Sequence, residues 1–161
     1  MTTPIKMKIF LKSLIPCFCM VLLVCTTGKT SNMTVQRSSD KIGLEPCPKT
    51  PNCVSSMVPT DNNHYISPLV YIGDKKVAYQ KLVVIIESYP LARIEATGKD
   101  YIFAEFRSKI FDFVDDVEFL FSLDESVIDV RSASRVGNYD FGKNRRRIED
   151  IRKRLNQALN H

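Results

Sequence analysis

Histidine is nearly absent from this chain. Its 161 residues contain two, and since His161 is terminal, His64 is the single internal imidazole. Neither G-x-S-x-G nor H-E-x-x-H occurs, which removes the common signatures of serine hydrolases and zinc peptidases. A long hydrophobic run is also missing. Residues 13–27 carry no charge, but Pro16 interrupts them and they fall short of the roughly 20 residues a bilayer-spanning helix needs. A strong excess of one charge sign is lacking as well. The formal net charge is +5, and Lys6, Lys8 and Lys12 account for three of it; beyond residue 25 the balance is 20 basic to 18 acidic residues, or +2. A globally basic nucleic-acid binder is therefore not indicated. No internal repeat is visible.

What is present at the N-terminus is a basic segment followed by a short apolar one, the pattern of a secretory leader. Residues 22–25, LLVC, resemble a bacterial lipoprotein cleavage box with Cys25 as the lipidated residue, although the position before the cysteine, normally small, is Val24. An uncleaved anchor is the alternative, because residues 9–11 extend the apolar run. Residues 26–44 are polar and without apolar period, as a tether should be. The expected organisation is a leader over 1–25, a tether over 26–44 and one globular domain over 45–161. The expected location is the periplasmic side of a bacterial membrane, held by the leader or a lipid.

An exported chain meets an oxidising compartment, so the two cysteines of the globular part, Cys47 and Cys53 in "EPCPKTPNCVSS", are expected to form a disulfide. The rival, a metal site completed by His64, has no recognised zinc spacing; no metal and no cofactor are expected.

The pattern of the domain is helix, four strands, helix. Asp74 is a candidate N-cap for a helix with Ala78, Leu82, Ile85, Ile86 and Tyr89 at helical spacing, ended by Pro90. Residues 92–97 and 100–107 read as a hairpin, and 109–122 and 127–134 as two more strands around a turn at 123–126. Ile148, Ile151, Leu155 and Leu159 mark a last helix over about 144–159. The class is α+β, a small antiparallel sheet of about four strands flanked by an N-terminal and a C-terminal helix.

A symmetric turn at 123–126 sets the register of the last hairpin. Phe121 then faces Ile128, Phe119 faces Val130 and Val117 faces Ser132 on an apolar face, while Glu118 faces Arg131 on the other. The same alternation places Asp115 on the apolar face opposite Ser134, where a carboxylate is costly unless paired. Arg135, Asn144, Arg145 and Arg147 are the candidate partners, and a pair between Asp115 and Arg135 is the simplest version. Asp116 alternates to the other face, so the acids of this strand do not converge on a cation or form a catalytic pair without a bend.

Residues 137–144, GNYDFGKN, come within one letter of a phosphate-binding loop. Asn144 replaces the required Ser/Thr, Asp140 sets a negative charge in the loop, and only 17 residues follow, too few for further βα units. A structural reading is better. Gly137 and Gly142 permit positive φ in a sharp strand-to-helix connection, and Asp140 or Asn144 can cap the helix. What remains functional is local charge: residues 143–154 hold seven Lys/Arg against Glu149 and Asp150, and a helix N-terminus beside arginines favours anions.

"CPKTPNCVSS", "HYISPL", "FDFVDDVEF" and "VRSASRVGNYDFGKNRRRIEDIR", in this order across about residues 45–159, resemble the proteins grouped as domain of unknown function 1499. The family pattern falls on Cys47, Pro48, Asn52, Cys53, Ser55, Ser56 and His64. It continues on Asp115, Asp116, Glu118, Arg131, Ser132, Ser134 and Arg135, and then on Gly137, Asp140, Gly142, Asn144, Arg145 and Arg147. Phe141 and Lys143 stand where aliphatic residues are expected. The resemblance implies export or membrane association and brings no established activity. The leading expectation is a non-enzymatic envelope domain binding an anionic ligand or protein partner at Asp115, Asp116, Arg131, Ser134, Arg135, Asn144, Arg145 and Arg147. The alternative is an enzyme acting on an anionic envelope substrate, with Asp115 or Asp116 as base and Arg135 or Arg145 as the anion clamp.

Overall fold

The computed structural model describes residues 43–160, within the compact unit Val35–His161. The leader, Cys25 and all but the last two residues of the tether lie outside the described residues. The order is β1 (Cys53–Ser55), β2 (Leu69–Val70), α1 (Lys75–Glu87), β3 (Ala92–Thr97), β4 (Tyr101–Arg107), β5 (Val114–Phe121), β6 (Val127–Ser134) and α2 (Lys143–Leu159). The strands form one antiparallel sheet in the order β1-β6-β5-β4-β3, with β2 also paired to β6. The class is α+β as expected, but the sheet has six strands, where about four were expected. β1 and β2 are three and two residues long, too short to carry a period-two signal. They exist because β6 offers an unpaired edge, which they cover in tandem.

Asp74 caps α1, its carboxylate accepting from the Val77 N–H at 3.0 Å, and Ala78, Leu82, Ile85 and Ile86 are buried. The helix stops two residues before Tyr89, ahead of Pro90. β5 begins at Val114, later than the sequence suggests, because residues 108–113 form a loop with Asp112 at φ 50°. The register of the last hairpin is the expected one: Phe121 pairs with Ile128, Phe119 with Val130, Glu118 with Arg131 and Asp115 with Ser134.

Both helices belong to the apolar core formed with Ile102, Ala104, Val117, Phe119, Phe121, Ile128 and Val130, to which α2 contributes Ile148, Ile151 and Leu155. Truncating one such fully buried aliphatic to Ala typically costs about 2–5 kcal/mol, so this cluster decides whether the domain folds. Cys47 and Cys53 are disulfide-bonded, Cα to Cα 5.7 Å, which ties the proline-rich segment to β1. No helix among the described residues is long and apolar enough to cross a membrane.

Candidate functional site

The end of the sheet where β4 stops, β5 starts and β6 stops holds most of the polar chemistry. On the helix side, Asp115 is 2% exposed. Its Oδ1 accepts from the Ser134 hydroxyl at 2.6 Å; its Oδ2 meets Arg147 at 2.5 Å and Lys143 Nζ at 3.1 Å. Burial pushes this carboxyl up, but the Arg147 charge and the hydrogen bonds from Ser134, Arg147 and Lys143 outweigh it, so its pKa lies below the ordinary value of 3.8.

Asn144 sits behind this pair, fully buried. Its amide donates to the Asn52 carbonyl (3.0 Å) and to Ser134 Oγ (3.1 Å). Its carbonyl accepts from Ser132 Oγ and from Arg147, both at 2.6 Å. Ser132 and Ser134 each donate one hydrogen bond and accept one, so the network is closed and internally satisfied. Asn52 extends it, donating to the Gly137 carbonyl at 2.7 Å. Arg147 also lies 4.8 Å from the Phe106 ring centre.

The connection from β6 to α2 is built to deliver these groups. Gly137 and Gly142 adopt φ 81° and 71°, and the Gly142 backbone forms the N-cap without a side chain. Asp140 supplies the missing acceptor from two residues upstream, taking the Gly142 N–H at 2.9 Å and the Asn144 N–H at 2.7 Å. The near match to a phosphate loop is thus a helix-capping turn, with the Asp140 carboxylate occupying amides that a phosphate would need.

The remaining sequence candidates go elsewhere. Arg135 does not pair with Asp115; it leaves on the other face of the sheet and pairs with Asp116 (2.8 Å) and Glu105. The alternation that buries Asp115 turns the Asp116 side chain away from the helices, and Arg135 follows it. Arg131 meets Glu118 at 3.1 Å, and Glu118 also accepts from the Tyr101 hydroxyl at 2.8 Å. Glu118 is fully buried, and Arg131 Nε is buried without a hydrogen-bond partner among the described residues. Arg145 donates to the Asn63 carbonyl at 3.2 Å. His64 Nδ1 donates to the Cys53 carbonyl at 2.9 Å, which assigns the imidazole to holding β1.

The eight candidates therefore divide into a sealed network (Asp115, Ser134, Asn144, Arg147), two ion-pair groups on the opposite face, and Arg145 on the 59–64 loop side. What opens to solvent is a groove of about 480 Å³ beside the network. Tyr89, Pro90, Leu91 and Phe106 give it apolar walls. Arg107, Lys109, Lys143, Arg146 and Arg147 give it cations. Its one described carboxylate, Asp150, is already engaged by the Tyr89 hydroxyl (2.5 Å) and Arg154 (2.9 Å). Those contacts, the Tyr89 hydrogen bond first, hold its carboxyl below the ordinary range. Lys109 and Arg146 make no ion pair among the described residues. Sequence reading missed Arg107 and Lys109, which come from a segment read as strand. The one available signal was the basic density of 143–154.

No curated protein and no solved structure matches the chain. The residues that cap α2, close the buried network and bridge Cys47 to Cys53 all lie within residues 43–155. That segment, more than half of the chain, matches the family described as Protein of unknown function (DUF1499), and the chain belongs to that family.

Proposed function

We propose that this protein is a non-enzymatic domain, exported and held at the periplasmic side of a bacterial membrane by its leader or a lipid on Cys25, and that it binds an anionic ligand or partner. The observation that carries the reading is the groove at the start of α2, where Lys109 and Arg146 make no ion pair among the described residues and the one lining carboxylate, Asp150, is held by Tyr89 and Arg154. Arg107, Lys143 and Arg147 also line it but are paired with Glu105, Asp112 and Asp115. A site of this charge attracts anions, and its apolar walls strengthen the attraction by excluding water. The binding surface is displaced from the network itself, because Asp115, Asn144 and Arg147 are at most 9% exposed and spend their hydrogen bonds on one another.

The enzyme alternative needs a base left free beside the arginines, whereas Asp115 is spent on Arg147 and Lys143 and Asp116 on Arg135. Asp115 and Asp116 point to opposite faces of β5, and His64 has its Nδ1 committed to a carbonyl, which weighs against it. The test is a titration of the full-length protein, in a neutral detergent, with inorganic pyrophosphate. Saturable binding that a Lys109→Ala/Arg146→Ala variant loses supports the reading. Absence of binding, or binding indifferent to those changes, removes the groove as an anion site.

A further inference from the structure

Two loops leave this same end of the sheet from its central strands. Residues 108–113 join β4 to β5 and residues 135–142 join β6 to α2. Both expose large apolar side chains: Ile110 is 83% exposed and Phe111 69%, with Phe113 stacked on Phe111 at 5.4 Å, while Phe141 is 78% exposed and Tyr139 packs edge-on against it at 5.0 Å. Phe141 holds φ at 55°, a conformation disfavoured for a bulky residue, and its ring gains no burial there. Apolar tips this exposed, gathered at one end, mark an interaction surface.

The groove cations stand beside them. Lys109 lies next to Ile110 in the first loop, and Arg146 donates to the Phe141 carbonyl at 2.7 Å. We propose that this end of the domain docks on an anionic lipid bilayer, the rings of Phe111, Phe113 and Phe141 entering the interface while Lys109, Lys143 and Arg146 meet the headgroup phosphates. The acid between the first two rings, Asp112, is paired with Arg107 at 3.1 Å, so the tips keep an excess of Lys and Arg, which suits a surface whose outer layer is anionic and whose next layer is hydrocarbon. The opposite end of the sheet supplies the contrast: Leu123 is 79% exposed there, but its neighbours Asp124 and Glu125 are exposed acids, which an anionic surface repels. The proposal rests on the anion-binding reading of the groove and names its partner.

The chain contains no tryptophan, so a single Trp reports its own position whatever the leader does. Phe111→Trp, Phe141→Trp and Leu123→Trp are made in the full-length protein and mixed with vesicles of phosphatidylcholine alone or with phosphatidylglycerol. Emission from positions 111 and 141 should shift to the blue only with phosphatidylglycerol present, and brominated lipid should quench it, while position 123 should stay unshifted. Adding Lys109→Ala/Arg146→Ala to Phe111→Trp should raise the lipid concentration needed for half of the shift about thirtyfold, the loss of affinity expected from removing two cations near an anionic surface. Thermal melts establish that each variant is folded. An equal shift at position 123, or an equal shift without phosphatidylglycerol, overturns the proposal. Pyrophosphate binding in the groove with no shift at 111 or 141 overturns the bilayer and leaves a soluble anion or an acidic protein as the ligand of the groove. Failure of both measurements removes the groove reading with it.

Discussion

Asp115 and Glu118 stand three residues apart on β5 and are buried on opposite faces of the sheet. Glu118 finds its cation directly across the ladder, on Arg131 of β6. Asp115 has only Ser134 across the ladder, and its cations arrive from α2, as Arg147 and Lys143. The first arrangement follows from strand register alone. The second exists only when the helix is docked, so the Asp115 carboxylate is a measure of how well α2 is seated. A buried pair of this kind is not a reservoir of stability by itself, but removing one partner leaves an uncompensated charge.

The largest effect should therefore come from Arg147→Ala, which leaves buried Asp115 with only the half-exposed Lys143 as counterion and removes two hydrogen bonds from the Asn144 network: a loss of about 3–5 kcal/mol in denaturant unfolding. Arg135→Ala should cost less than Arg147→Ala, about 1 kcal/mol, since that side chain is 42% exposed and Arg107 still pairs with Glu105 once it is gone. Adding Asp115→Asn to Arg147→Ala should recover part of the loss, because the buried charge goes too. Equal losses for the two arginines would break the contrast between the two faces.

A second measurement isolates the charge on Asp115. Its folded pKa is depressed, so as pH falls the unfolded carboxyl takes up its proton first and stability drops. The Asp115 contribution should be complete above its ordinary value of 3.8 and disappear as pH falls through the lower folded value. The stability gap between wild type and Asp115→Asn should accordingly be wide at about pH 6 and narrow toward pH 3 and below. A gap independent of pH would mean that the carboxylate charge contributes nothing beyond shape.

The smallest effect is expected at Lys143. Its ammonium touches Asp115 at 3.1 Å but is 41% exposed, and Arg147 already neutralises the carboxylate. Lys143→Ala should cost under about 1 kcal/mol in thermal or denaturant unfolding. A loss as large as that of Arg147→Ala would make the lysine, not the arginine, the principal counterion.

These expectations also mark how far sequence reasoning reached. The Asp74 cap, the helical spacing of α1 and α2 and the register of the last hairpin were legible because each depends on neighbours at fixed offsets. The Glu118–Arg131 pair was legible for the same reason. The assignment of Arg135 to Asp115 was not sound, because adjacency in sequence says nothing about which face a side chain takes once a strand ends and a turn begins. Asp140 was recognisable as a capping residue. That it reaches two amides from upstream of a glycine N-cap needed the turn itself.

What the sequence determined by itself is the local physics: two helices with apolar stripes, strands that alternate, glycines where φ must be positive, and a carboxylate placed on an apolar face where it requires a partner. What only the tertiary structure decided is which partner it receives and what is left facing solvent. β1 and β2 owe their existence to an open edge on β6, and the groove is assembled from residues about sixty positions apart, from Tyr89 to Asp150. Non-local contacts of this kind carry no periodic trace in the chain, because each depends on where a whole helix comes to rest against the sheet.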